Sequence, residues 1–344
     1  MAFLIKYLNP VSAREASGKV LGIYRQIEED FLLGEPLILH SLVPDLLAGV
    51  WSTFRETFIA GRVKRALKEA VAVAVSRSNR CPFCVDAHAM ALRSASFGAE
   101  VGNLREGDAS RIQDPELRAL AEWAEATGRP GTGAPAGPPV PSEDVPEIMG
   151  AMVWMHYTNR MVNLFIGEGL IPFPANRLGL RTLVEMAGGL YFRKKFRRMS
   201  SPGESMVFLD DLRAELPKDM AWAAGSPFIA GAFGGLAEAV EAGAAESIPP
   251  EIRSWFLDSL SRPQDVGLSR RWLDGPLAGL GSEHHAIGTL LQLASRAPHQ
   301  VVEADIEAFR RERPSERDLL QATAWASFAA ARRIAARLTI PPVR

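Results

Sequence analysis

Apolar residues recur at three- and four-residue spacing through long stretches rich in Ala, Leu and Met. The clearest are RVKRALKEAVAVAVSRS (62–78), DVPEIMGAMVWMHYTNRMVNLF (144–165) and ERDLLQATAWASFAAARRIAARL (316–338). These runs exceed strand length, and period-two alternation closed by Asn-Gly or Asp-Gly turns is absent. The pattern therefore predicts an all-α protein. Within it, Trp51, Phe54 and Phe58 fall at helical spacing, and core packing is a better reading of them than an apolar substrate entrance.

Proline and glycine punctuate the helices. TGRPGTGAPAGPPVPSED (127–144) reads as a loop, its Pro141-Ser142-Glu143-Asp144 end as the cap of the next helix. GEGLIPFPANRLGLR (167–181) breaks the helical pattern, and the basic run RKKFRR (193–198) reads as a solvated linker face. At 344 residues the chain is longer than one core usually grows, which predicts a first domain over 1–170, a linker over 171–210 and a second domain over 211–344. The halves suggest a duplication. PSEDVPEIMG from Pro141 aligns with PSERDLLQAT from Pro314, pairing Arg160 with Arg333. A second offset sets Ser76 against Ser295 and places Gln300, Glu303 and Glu307 opposite Cys81, Cys84 and His88. The second half would then keep a helical scaffold without the reactive side chains.

The charge is balanced, with 39 Lys and Arg against 40 Asp and Glu, so it gives no reason to expect nucleic acid or an anionic membrane as partner. A small or neutral substrate fits better. The start MAFLIKYLNPVSAREASGK lacks the apolar core and cleavage site of a secretory signal, and no window holds about 18 uninterrupted apolar residues. A cytoplasmic protein without a membrane span is expected.

Both cysteines lie in SRSNRCPFCVDAHAMAL (76–92). A disulfide framework is excluded by their number, and a close C-x-x-C pair in such a chain reads as redox-active or metal-binding. On a helix, Cys81, Cys84 and His88 fall within roughly 60° of one another. Cys81 near a helix start would meet exposed N–H groups that favour thiolate, and His88 one turn beyond Cys84 could take its proton. Glu69, among apolar neighbours on the preceding helix, could complete a proton relay if buried. Two buried small hydrophobes, or zinc with a fourth ligand from Glu69, Asp86 or His156, are the other readings of the pair; the expectation is no metal and no organic cofactor. His156 reads as a satisfied interhelical histidine, and the adjacent His284 and His285 as structural or surface residues.

Glu69 twelve residues before Cys81, followed by SNRCPFCVDAH, resembles the E…S-x-x-N-x-C-x-x-C-x-x-x-H signature of the alkyl hydroperoxidase D (AhpD) family, within the carboxymuconolactone decarboxylase superfamily. VWMHYTNRMVN resembles that family's later helix with an Asn-Arg pair, here Asn159-Arg160. The resemblance covers residues 35–165 well and the C-terminal half as a degenerate copy. It implies an AhpD-like helical fold, a homo-oligomer, and a thiol peroxidase in which Cys84 becomes the sulfenic acid. Cys81 would then be proton donor and resolving thiol, and Glu69 and His88 the relay. A small hydroperoxide would be the substrate, and an external dithiol or redox protein would reduce the Cys81–Cys84 disulfide. The doubled length, the thiol-free second half and the Pro/Gly-rich loop depart from the small family members. Two alternatives remain open: a decarboxylase-like lyase or lactone-processing enzyme that does not use the thiols, and a non-catalytic redox sensor or partner-binding protein.

Overall fold

The computed structural model describes residues 5–94, 100–129, 136–166, 193, 200–210 and 215–340. Among them the chain is helical, extended pairing being confined to single bridges from Ala60 to Ser200 and from Ala136 to Thr339. The first half carries α1 (Gly18–Asp30), α2 (Pro44–Phe54), α3 (Arg65–Ser78), α4 (Pro82–Ser94), α5 (Glu100–Glu106), α6 (Pro115–Thr127) and α7 (Val145–Phe165). The second carries α8 (Pro227–Ser247), α9 (Pro250–Ser261), α10 (His285–Arg296), α11 (Glu303–Glu312) and α12 (Glu316–Ala336). Segment 167–181, the run after Arg193 and most of the expected linker lie outside the described residues.

α3 is the hub. Every side chain from Ala66 to Ser76 is buried, and a helix covered on all sides needs neighbours on all sides. α4, α6 and α7 supply them. α7 is buried continuously from Val145 to Asn159 and packs on α12, while α8 packs on α2 and α12. One hydrophobic cluster therefore runs from Leu8 to Leu338, and Trp51, Phe54 and Phe58 belong to it. At the α2–α8 crossing the backbones meet: a Cβ on Gly49 would lie 2.7 Å from Leu236 Cα. α8 is long and apolar enough to cross a membrane, yet 61% of its apolar window is buried within the fold. Both offsets noted between the halves lay helix on helix, α3 on α10, α4 on α11 and α7 on α12; α3 packs on α7 as α10 packs on α12.

One local expectation needs correction. Ser142–Asp144 forms a 3₁₀ turn, and α7 starts at Val145 without a side-chain cap bond. The reason is competition: Ser142 Oγ donates to Glu143, and Asp144 pairs with Arg62 at 3.0 Å. α3 runs to Ser78, the end of the helical run in the sequence. It ends when Arg80 turns to φ +53°. The Cys81 amide then donates to Ser76 O (2.9 Å) and the Arg80 amide to Arg77 O (3.0 Å), a Schellman ending built on arginine where glycine is usual. A left-handed non-glycine residue costs roughly 1–2 kcal/mol. Arg80→Gly should therefore raise stability by about 1 kcal/mol in urea unfolding; an unchanged or lower midpoint would show that the turn carries no such strain.

This turn matters because it folds α4 back along α3. It sets Cys81 at the position just before α4, where its carbonyl accepts the Val85 amide at 3.0 Å.

Candidate active site

Glu69 projects from the middle of α3 and is fully buried. One carboxylate oxygen accepts from His88 Nδ1 at 2.6 Å, and the other pairs with Arg65 Nε one turn earlier on α3. Arg65 is itself held by Phe58 O at 2.9 Å and lies over the rings of Phe31, Phe54 and Phe58 at 5.7, 5.8 and 5.5 Å. Burial alone would raise the Glu69 pKa; the charges of Arg65 and His88 and their hydrogen bonds outweigh it and leave the carboxyl below its ordinary value. The carboxylate is thus ionised and orients the imidazole. With Nδ1–H donating to Glu69, Nε2 has no hydrogen-bond partner among the described residues and is the ring atom able to accept or release a proton. The Phe58 ring, 5.7 Å from the imidazole, walls this side.

Cys81 and Cys84 are free thiols, 1% and 3% exposed, three residues apart where α4 begins. Cys84 and His88 are one turn apart on the same face of α4. The expectation that the helix start makes Cys81 a thiolate is reversed. Burial pushes its thiol well above the ordinary value and the neighbouring Cys84 adds to this, outweighing the Cys84 amide and the Asn159 side chain, which both favour the anion. Cys81 rests protonated.

Behind Cys81 runs a buried polar chain. Asn159 Nδ2 donates to Ser76 Oγ (3.1 Å), and its carbonyl accepts from Asn79 Nδ2 (2.9 Å). Asn79 Nδ2 also reaches His156 Nδ1 (3.0 Å), and His156 Nε2 meets Thr127 Oγ1 (2.9 Å). Thr127 Oγ1 donates to Ala124 O at 2.6 Å, so His156 Nε2 carries the proton and Nδ1 accepts. The ring is the interhelical histidine that its sequence context suggested, and Asn159, bonded to Ser76 and Asn79, favours the Cys81 anion from α7. Outside the polar chain, a cleft of about 320 Å³ reaches Cys81 between Ser76, Arg77, Arg80, Pro82, Val85, Asp86 and Arg105.

The sequence reading had Glu69, Cys81, Cys84 and His88, and the structure places all four at the α3–α4 contact. It missed Arg65. The available signal was the i,i+4 spacing to Glu69, which reads as an ordinary surface ion pair until the aromatic cage is seen. Elsewhere, His285 Nε2 bonds Leu280 O at 3.0 Å, and His284 lies 4.0 Å from Glu251, neither near the thiols. Among the described residues no group of three or more His, Cys, Asp or Glu is arranged to hold a metal.

The sequence profile of the carboxymuconolactone decarboxylase family matches residues 44–126, from the first residue of α2 into the last turn of α6. An alkyl hydroperoxide reductase of Mycobacterium tuberculosis is 37% identical over 341 residues, covering 96% of this chain and 94% of its own. The chain belongs to the carboxymuconolactone decarboxylase family. The family match includes the Glu69, Cys81, Cys84 and His88 set but stops before α7. Asn159 and His156 fall only within the span shared with the mycobacterial protein.

Two buried histidines give the fold an acid limit. His40 Nδ1 donates to Leu37 O (3.2 Å) and Nε2 accepts from the Tyr157 hydroxyl (2.8 Å). Burial lowers its pKa from 6.5 to about 4, and burial followed by Arg160 and Arg337 lowers that of His156 well below 6.5. The unfolded chain takes up these protons first, so stability falls as pH drops below about 6.5. For His40 the loss approaches ~3 kcal/mol near pH 4. Urea midpoints measured across this window should decline; a flat profile would contradict the burial of neutral imidazoles.

Proposed function

We propose that this chain reduces hydroperoxides through a Cys81/Cys84 dithiol, with Glu69 and His88 relaying protons. The observation that carries the reading is the Arg65–Glu69–His88 array, its carboxylate fully buried, with His88 one turn from Cys84 and both thiols buried at the start of the same helix. The name of the mycobacterial relative, alkyl hydroperoxide reductase, supports it.

In the proposed cycle, Cys84 thiolate forms as His88 Nε2 takes its proton, and the sulfur attacks the terminal oxygen of ROOH. The O–O bond breaks, Cys84 becomes a sulfenic acid, and the alkoxide leaves as alcohol after taking a proton from Cys81, which burial keeps in the thiol form a donor needs. The Cys81 sulfur then attacks that of Cys84. The S–S bond forms, and hydroxide leaves as water with the proton held on His88. An external dithiol returns two electrons and two protons, attacking Cys81 from the cleft that reaches it. The sum is ROOH plus dithiol giving ROH, water and oxidised dithiol. No organic cofactor or metal enters this balance.

Residues 1–170 and 211–344 are proposed as two tandem AhpD-like units joined over 171–210, the second without thiols, and the protein as a cytoplasmic homo-oligomer. The α7–α12 and α2–α8 packing supports a contact made inside one chain that small family members make between subunits.

The test is hydroperoxide consumption with dithiothreitol, followed by mass spectrometry of the peptide spanning Cys81 and Cys84. Turnover with an intramolecular disulfide is the expected result. Oxidation without turnover would favour a redox sensor, and turnover of a lactone or carboxylate substrate without thiol oxidation a lyase.

A further inference from the structure

We infer that Arg296, Arg333 and Arg337, over a floor of Arg160, bind a compact multivalent oxyanion at the C-terminal ends of α9, α10 and α12. The four guanidinium groups are drawn together by backbone carbonyls. Arg160 Nε donates to Ser295 O (2.8 Å) and its Nη1 to His156 O (2.6 Å). Arg296 Nη2 donates to Ser259 O at 2.9 Å, and Arg333 to Ser261 O on the same helix end. Arg337, one turn beyond Arg333 on the same face of α12, donates to Thr127 O at 3.3 Å.

The helix-end carbonyls fix the positions but carry only partial negative charge, less than the four cations need. Among the described residues no carboxylate lies within 4.0 Å of any of the four. The acids nearby are engaged elsewhere: Asp258 with Arg262, and Glu125 with Arg77 and Arg129. Burial and the adjoining arginines lower the pKa of Arg160 and of Arg296 to about 10, the mark of positive charges that lack a counter-ion. Arg333 and Arg337 are exposed, so the cluster is open to solvent. Packed like charges of this kind are relieved by an anion, and planar guanidinium forks suit phosphate or carboxylate oxygens in bidentate pairs. The site is separate from the thiols, although Arg160 holds the carbonyl of His156.

Titration calorimetry at low salt with pyrophosphate and with citrate tests this. One saturable site is expected, with the tighter probe telling a phosphate-bearing from a carboxylate-bearing ligand. Binding should weaken about tenfold or more in the Arg333→Gln/Arg337→Gln double variant and be unchanged in the control Arg311→Gln, an exposed position on α11. If the double variant fails to fold, Arg337→Gln alone, which removes one long surface hydrogen bond, gives the same readout. Absence of saturable binding by both probes, retention of affinity in the arginine variant, or equal loss in the control would each overturn the inference.

Discussion

Cys84→Ser is expected to lower hydroperoxide turnover by on the order of 10³-fold or more, because the attacking sulfur is lost and a serine hydroxyl cannot be oxidised in its place. Cys81→Ser should slow turnover sharply at a later step: one equivalent of peroxide is consumed, and the Cys84 sulfenic acid, without its resolving partner, waits on direct attack by the external dithiol. Stopped-flow peroxide consumption separates the two, with a single-turnover burst in Cys81→Ser and none in Cys84→Ser. Both sulfurs are buried, but serine is smaller and sits at each position without a new charge. Circular dichroism and thermal melting close to the parent are expected, so the activity loss would not reflect unfolding. Full turnover in either variant would remove the dithiol cycle.

The second large effect is expected at Glu69. Its carboxylate is fully buried and joined to both Arg65 and His88. Glu69→Ala leaves the Arg65 guanidinium in its aromatic cage without a counter-charge, and removal of one partner from a buried pair costs about 3–5 kcal/mol. Glu69→Gln keeps the shape and loses the charge. It should fold with a smaller penalty yet lower turnover by about 10²-fold, because the amide no longer fixes the His88 tautomer or stabilises an imidazolium. The stability deficit has a defined pH dependence. The Glu69 pKa is depressed in the fold, so its contribution is present above the unfolded value, about 4.3, and is lost as pH falls through the folded value. The gap between parent and Glu69→Gln in urea midpoints should therefore be full at neutral pH and close in acid. A gap that does not vary with pH would place the carboxylate outside the ion pair.

The helices, and the meeting of Glu69, Cys81, Cys84 and His88 at one helix contact, are legible in the sequence for physical reasons. Ala- and Val-rich runs with helical spacing leave few alternatives for α3, and spacings of three and four residues along α4 bring Cys81, Cys84 and His88 together wherever the helix packs. Glu69 stands out because its neighbours are apolar, and its burial is more complete than those neighbours alone require. What could not be read depends on contacts distant in sequence. The protonation of Cys81 is decided by its burial and by Cys84, and a helix-start argument considers only local N–H groups. Asn159, which favours the Cys81 anion, comes from a position 78 residues further along the chain. Arg65 looks like half of a surface pair until Phe31, Phe54 and Phe58 are seen around it.

Labelling of Cys84 tests the account most directly. In Cys81→Ser treated with one equivalent of hydroperoxide and a sulfenic-acid probe such as dimedone, peptide mass spectrometry should place the adduct on Cys84. The same treatment of Cys81→Ser/Glu69→Gln should form it far more slowly. An unmodified Cys84 under conditions where the parent consumes peroxide would contradict the account.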